Sequence, residues 1–445
     1  MAFTRAYCQN PICTPSRGSF LTGLYPSRIP CNINGNARLN LPDGVKLITR
    51  HLADGGYDCG LSGKLHIASA WGGQEERVDD GYRQFWYCHG PTQGMGVSNQ
   101  YTDWLESIGK YQDVVDDSDW DPVLQRGAKY RENVPAELHE TTWCCDRGIE
   151  FMNEEHDGPW LMSVNIFDPH PAYDAPRDYA ERYDPSSLPP PPFRESDLET
   201  QRRIAETHVF QSGGRTPDER EQAQKASYYG MIELIDENVG RMLDELERTG
   251  QRENTLVIFT SDHGNLIGDH GLQAKGCRFY EGLARVPLIF SWPGGFRQGI
   301  VDDRLIELTD IAPTLAEVGG AAMHRCDGQS LLPILTGDGP GPTREYVRCE
   351  FYDTLDMHFG KPDRPPHKPS FATMTRDDRY KLVLYHGRDY EPVHYGELYD
   401  MAEDPDEHVN LWDDPGHADV RERIRHVIEK TAPVTEDPAE RIGRF

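Results

Sequence analysis

The sequence predicts an α/β fold: a mainly parallel central sheet sandwiched by helices, followed by a smaller antiparallel sheet with one helix at the C-terminal end. Helical and strand-like patterns alternate along most of the chain, three strands run directly into ionisable residues, and short strand-like pieces replace the alternation after about residue 340. At 445 residues the chain exceeds one small domain. A large α/β domain over 1–338 with an α+β subdomain over 339–445 is the expected division.

Taken in order, the first element lies in Cys13-Thr14-Pro15-Ser16-Arg17-Gly18, which continues through Phe20, Leu21 and Thr22 to Gly23. Thr14 suits a helix N-cap, Pro15 the first helical position and Gly23 the C-cap, so Cys13 is expected just outside a helix N-terminus. Residues 45–54 place Val45, Leu47, Ile48 and Leu52 at helical spacing and stop at Gly55-Gly56. A short strand from Tyr57 to Leu61 then runs into Gly63-Lys64-Leu65-His66. The apolar run Leu161 to Phe167 reads as a buried strand that delivers Asp168-Pro169-His170. Leu188 to Phe193 is too proline-dense for regular structure and is expected as a surface loop.

From Asp218 to Arg248 a long helix carries Met231, Ile235, Val239, Met242 and Leu246 on one face and closes at Gly250. The strand Thr255 to Thr260 follows and ends in Ser261-Asp262-His263-Gly264. Strand-like pieces at Tyr346–Phe351, Phe371–Thr375, Tyr380–Tyr385 and Glu397–Asp400, with a helix near Ala418–Lys430, make the C-terminal sheet. Open α/β sheets bind ligands at the carboxyl ends of their strands, so the three ionisable strand ends mark a candidate site.

Lys+Arg 46 against Asp+Glu 74 gives a formal charge of −28, a field that repels nucleic acid and anionic membrane surfaces. An anionic small substrate would need local cations or a metal to oppose that field. The ten cysteines show no C-x-x-C, no zinc-type pairing with histidines and no disulfide framework. No apolar run has the length of a membrane span, and the N-terminus lacks a charged-then-apolar signal pattern.

Within the candidate site, a cysteine at a helix N-terminus meets unpaired backbone N–H groups and a positive dipole, which favour a bound anion or an ionised nucleophile. Asp262 and His263 emerge together from a strand end and can ligate a divalent cation. Read alone, each motif has an ordinary counterpart: a buried cysteine beside a helix, a solvated Lys64 and His66, a turn histidine at 170, a capping aspartate at 262.

The longer pattern resembles the sulfatase family. Cys13-Thr14-Pro15-Ser16-Arg17 with Thr22-Gly23 resembles its C-x-P-S-R signature and trailing T-G, and Gly63-Lys64-Leu65-His66 its G-K-x-H element. Asn165 to Pro171 resembles the family's strand-to-loop histidine, and Ser261-Asp262-His263-Gly264 with Lys275 its S-D-H-G metal element and substrate lysine. Arg285 to Gly294 and Gly396 to Leu411 also look like family segments, so the resemblance covers nearly the whole chain.

It implies an alkaline phosphatase-like fold and hydrolysis of a sulfate ester on a sulfated small molecule or glycan. Cys13 would be oxidised to Cα-formylglycine by a formylglycine-generating maturation enzyme. Its hydrate is a geminal diol; one hydroxyl attacks sulfur, and the other loses its proton and expels sulfate. The implied roles are nucleophile for modified Cys13, positioning for Arg17, sulfate or diol contact for Lys64, base for His66, and leaving-group acid for His170 or Lys275. Asp262, His263 and modified Cys13 are the implied metal ligands, for Ca2+ or alternatively Mg2+.

The sequence departs from the pattern at its front. Family members normally begin with a strand ending in a paired aspartate that supplies two metal ligands. Here Asp79-Asp80, Asp116-Asp117 and Asp302-Asp303 all look like solvated acidic stretches. A truncated front end is therefore expected, with metal binding in question and compartment and oligomeric state left open. Two other readings are a phosphonate or phosphate (di)ester hydrolase of the same superfamily, and a catalytically impaired anion-binding remnant. Tyr82, Phe85, Trp86, Tyr87 and Tyr101 either stack on a sugar ring or pack in the core.

Overall fold

The structure is a computed structural model that describes residues 1–29, 41–68, 75–90, 99–114, 120–121, 126–127, 134–207, 214–323, 325–353, 370–386 and 392–431. In chain order the elements that position the site are β1 (Ala2–Tyr7), α1 (Cys13–Thr22), α2 (Ile48–Asp54), β2 (Asp58–Gly63), β3 (Gln84–Tyr87), α3 (Glu140–Met152), β4 (Trp160–Asn165), α4 (Asp197–Thr207) and α5 (Glu219–Arg248). There follow β5 (Val257–Thr260), β6 (Arg285–Ser291), β7 (Val301–Glu307), α6 (Ile311–Val318), β8 (Val347–Asp353), β9 (Ser370–Arg376), β10 (Tyr380–His386), β11 (Pro392–Asp400) and α7 (Ala418–Thr431).

Three sheets carry these strands. The order β3-β2-β4 is parallel throughout, with Gly60 opposite both Gln84 and Met162. The second sheet, β7-β1-β6-β5, is mixed: β1 runs parallel to β7, while β6 is antiparallel to both β1 and β5. Its mixed character has a local cause. The chain returns from β5 to β6 through the loop that carries Asp262, His263 and Lys275 rather than through a crossover helix, and such a return reverses strand direction. The C-terminal sheet β8-β9-β10-β11 is antiparallel, as expected.

Local chemistry sets the elements. The Asp218 carboxylate accepts from the Arg220 N–H, and Glu221 accepts from the Asp218 N–H at 2.7 Å, so α5 starts with a capping box. A Cβ on Gly60 would meet Phe151 at 2.7 Å, which is why β2 can carry α3 so closely. At the end of α1, Gly23 adopts φ 71 and donates to the Ser19 carbonyl at 2.8 Å, matching the expected C-cap.

Two expectations need correction. Cys13 is the first helical residue of α1 with Ile12 as N-cap, not the residue before a Thr14 cap. The Asn10 side chain accepts the Ile12 N–H at 2.8 Å, and the Ser16 N–H reaches back to the Ile12 carbonyl at 3.1 Å, so the helix begins earlier. Pro15 stays within the first turn, where a missing N–H breaks no helical bond. The second correction concerns β4. It pairs only with β2 among the described residues and is half-buried along its length, an edge strand despite its apolar run.

One hydrophobic cluster joins Phe3, Val286 and Ile306 of the mixed sheet to Val347, Met374 and Tyr385 of the C-terminal sheet. The two sheets share a core. Tyr82, Tyr87 and Tyr101 are buried, and the Tyr101 hydroxyl donates to the Leu138 carbonyl at 2.7 Å; these rings pack the core and are not available to a sugar. The proline-dense segment docks inward: Pro189 O accepts from Lys225 Nζ and Pro192 O from the His270 N–H, both at 2.8 Å. Asp116-Asp117 lie outside the described residues. No helix among the described residues is long and apolar enough to cross a membrane.

Candidate active site

The carboxyl ends of β2, β4 and β5 open toward the first turn of α1. Cys13 is buried there, and its thiol is the point on which the neighbouring side chains converge. Lys275 Nζ donates to Cys13 Sγ at 2.9 Å, Lys64 Nζ lies 3.7 Å away, and His263 Nε2 is at 3.1 Å. Burial disfavours a thiolate, yet Lys275, Lys64 and His263 outweigh it and hold the thiol well below its ordinary range. The helix N-terminus adds the same sign of field.

Arg17, one turn further along α1, faces the floor of the site. Its Nε donates to Asp262 Oδ2 at 2.8 Å and its Nη1 to the Lys64 carbonyl at 2.6 Å. Burial opposes the Asp262 charge, but His263 and Arg17 keep the carboxyl far below the usual carboxylate range. Ser16 Oγ donates to the Asp262 carbonyl at 2.5 Å, so α1 and the end of β5 are tied twice. Lys64 is itself pulled down to about 8, by burial first and then by Arg17 and Lys275.

The histidines divide into two kinds. His263 Nδ1 lies 2.6 Å from the Gly264 carbonyl and donates to it, which turns Nε2 toward Cys13 Sγ at 3.1 Å and Lys275 Nζ at 3.2 Å. His66, which is buried, and the half-buried His89 and His170 form an imidazole wall. The His66 and His89 rings stand 4.4 Å apart edge to face, and Phe167 bridges His89 at 5.9 Å and His170 at 4.5 Å. Burial, reinforced by Lys64, lowers His66 to about 3, and burial pushes His89 and His170 well below the ordinary imidazole range. All three are held neutral.

The structure thus gathers Cys13, Arg17, Lys64, Asp262, His263 and Lys275 by direct contact and places His66 and His170 against the same centre. It also brings in residues that motif reading passed over. Glu75 accepts the backbone N–H groups of His66, Ile67 and Ala68 at 2.5, 2.6 and 2.9 Å, and so fixes His66 in its left-handed conformation, φ 53. Asn165 donates to the Lys64 carbonyl at 3.1 Å. His89 follows β3, a parallel strand whose carboxyl end points the same way as β2; that strand-end position was the available signal.

Cys13, Asp262 and His263 present ligand atoms within 4.8 Å of one another and form a group that could hold a metal ion. The His263 tautomer suits a ligand. The donor set fits a cation only in part, because calcium takes six to eight oxygens and this group supplies a single carboxylate, already engaged by Arg17.

A buried cysteine faced by two lysines at the strand ends of an α/β scaffold suits the handling of a small anionic group, and comparison with known proteins gives its family. The family model described as Sulfatase matches residues 1–321, and that described as N-sulphoglucosamine sulphohydrolase, C-terminal, matches residues 268–433. The chain belongs to the sulfatase family. It is 29% identical over 445 residues to the multifunctional alkaline phosphatase superfamily protein PehA of Trinickia caryophylli, covering 91% of this chain and 82% of that one. It is 29% identical over 432 residues to a choline-sulfatase of Rhizobium meliloti, covering 93% and 75%. Among solved structures, the phosphonate monoester hydrolase of Agrobacterium radiobacter superposes with a TM-score of 0.79 at 26% identity, covering 96% and 88%.

Proposed function

We propose that this chain hydrolyses a sulfate ester on a sulfated carbohydrate, releasing the alcohol and sulfate, with Cys13 as the site of a formylglycine nucleophile. The observation that carries the reading is the convergence of Lys275, Lys64 and His263 on Cys13 Sγ at the first turn of α1. The match to a sugar N-sulfate hydrolase C-terminal region supports the carbohydrate class.

Converted to formylglycine by a maturation enzyme, Cys13 supplies a nucleophilic hydroxyl and a second hydroxyl through which the aldehyde can be regenerated. The protein's own groups do the rest. Lys64 and Lys275 offset the charge of the sulfuryl group as it transfers, in a pocket where burial strengthens each contact. Arg17 keeps the Asp262 carboxylate oriented, and Asp262 with His263 would be the residues to hold a divalent cation beside the nucleophile, through the part of the carboxylate that Arg17 leaves free. His66, neutral and adjacent, is placed to accept a proton. The His170 Nδ1 proton goes to the Pro171 carbonyl at 2.6 Å, so in the free site it is Lys275 that offers a proton toward a leaving alcohol.

A second reading has a specific basis: the phosphonate monoester hydrolase fold matches closely. Rates on an aryl sulfate and on an aryl phosphonate monoester, measured in parallel on chain co-expressed with a maturation enzyme, separate the two. The sulfatase reading expects the larger kcat/KM on the sulfate; a dominant phosphonate rate overturns it. Mass spectrometry of the tryptic peptide Ala6–Arg17 reads the modification directly, and full hydrolysis by Cys13→Ala would refute the nucleophile.

A further inference from the structure

A second set of metal-type donors lies buried away from Cys13. Asp197 at the start of α4, His270 in the loop between His263 and Lys275, and His408 after β11 converge from three parts of the chain. Each of these side chains is at least nine-tenths buried. Asp197 Oδ2 lies 3.1 Å from His408 Nδ1 and 3.5 Å from His270 Nδ1. No ligand atom of the three is more than 4.8 Å from another.

These separations have a chemical meaning. Zinc bonds of about 2.0–2.1 Å at tetrahedral angles put neighbouring donor atoms about 3.3–3.4 Å apart, and the two observed separations bracket that edge. A hydrogen-bonded network without metal explains the arrangement less well. His408 Nδ1 bonds the Asp197 carboxylate at 3.1 Å, whereas His270 Nδ1 makes only a longer approach to the same carboxylate, at 3.5 Å.

The backbone adds an independent sign. His270 holds φ 54 and Glu407, next to His408, holds φ 57; non-glycine residues enter this region only when their surroundings over-determine them. Stacking of His270 on Tyr280, with centroids 3.7 Å apart and planes at 12°, fixes the imidazole plane. A nitrogen-rich donor set with one carboxylate selects zinc over the oxygen-preferring calcium and magnesium.

We propose that Asp197, His270 and His408 form a three-ligand zinc site, its fourth position left to water, separate from the Cys13–Asp262–His263 group. The site uses no cysteine, so a search for cysteine–histidine spacing passes over it. It pins α4 and the segment after β11 to the loop that carries Lys275, and thereby stiffens one wall of the active site.

The test is metal stoichiometry. Purified full-length chain is stripped with a chelator, equilibrated with Zn2+, desalted and analysed by mass spectrometry for bound metal, alongside His408→Ala, Asp197→Asn and His263→Ala. Wild type and His263→Ala are expected to retain about one zinc per chain more than either of the other two variants. Equal zinc in wild type and His408→Ala, or loss of that zinc in His263→Ala alone, overturns the proposal. Should His408→Ala fail to fold, Co2+ loaded into His263→Ala, which lacks a ligand of the other candidate group, decides: tetrahedral visible absorption bands support the site, and their absence sinks it.

Discussion

Removal of Lys275 tests the electrostatic core of the site before any substrate is known. In chain produced without a maturation enzyme, Cys13 remains a thiol, and its thiolate absorbs near 240 nm. Lys275 Nζ stands 2.9 Å from Sγ and Lys64 Nζ 3.7 Å. Even at the dielectric of bulk water, Coulomb's law gives about 1.4 kcal/mol for the first charge pair and about 1.1 kcal/mol for the second, lower bounds for a buried site. Lys275→Gln should therefore cut the thiolate-to-thiol ratio of Cys13 at least about tenfold, and Lys64→Gln somewhat less. The assay is a pH titration of 240 nm absorbance, taken as the difference from Cys13→Ala. That difference isolates the site, because burial pushes Cys59 and Cys326 up to about 12. A wild-type step already complete by neutral pH, moved toward alkaline pH in Lys275→Gln, is the expected result. An unmoved step would refute the claim that this pocket concentrates positive charge on residue 13.

Two further outcomes follow from the buried charges. Asp262→Asn leaves the Arg17 guanidinium buried opposite a neutral amide, and loss of one partner of a buried ion pair costs about 3–5 kcal/mol, to be read from the urea unfolding midpoint. The second concerns acid. His66 is lowered to about 3, and His89 and His170 are held below the ordinary value of about 6.5, so unfolding exposes imidazoles that take up protons. Their stabilising contribution is complete above about pH 6.5 and is lost as pH falls toward their folded values. Three such protons give a slope of up to about 4 kcal/mol per pH unit, and His66→Asn should reduce it by about a third. Unfolding curves at several acid pH values check this, and a slope unaltered in the variant contradicts it.

Much of this arrangement was legible in the sequence because strand ends and helix starts are punctuated locally. Gly23, Gly55-Gly56 and Gly250 stop helices where expected, and the four C-terminal strands lie within a few residues of their expected positions. What the sequence hid was tertiary. The start of α1 at Ile12, two residues before the expected Thr14 cap, goes with the Asn10 side chain, which accepts the Ile12 N–H. The reversal at β6 depends on how the loop from Ser261 to Ala284 folds back, and hydrophobic pattern is blind to strand direction. Glu75 stands in an acidic stretch with Glu76 and carries no motif, yet it caps a left-handed turn from seven to nine residues away. The Asp197, His270 and His408 cluster joins residues far apart in the chain, so no spacing rule could assemble it.

The charge pattern also explains why one pocket resembles both sulfatases and a phosphonate monoester hydrolase. A sulfate ester and a phosphonate monoester each carry a single negative charge on a tetrahedral centre, whereas a phosphate monoester carries about −1.5 to −2 at pH 7. Here the cations that face residue 13 are Lys64 and Lys275, while Arg17 is committed to Asp262, and His66, His89 and His170 stay neutral. Such a wall can lend hydrogen bonds but little further charge, and a chain at −28 repels each added negative charge. The pocket therefore favours singly charged esters over doubly charged ones, and the choice between sulfur and phosphorus falls to groups that contact the two non-bridging positions differently. Lys64 is already softened to about 8, so its hold weakens as pH rises through that value.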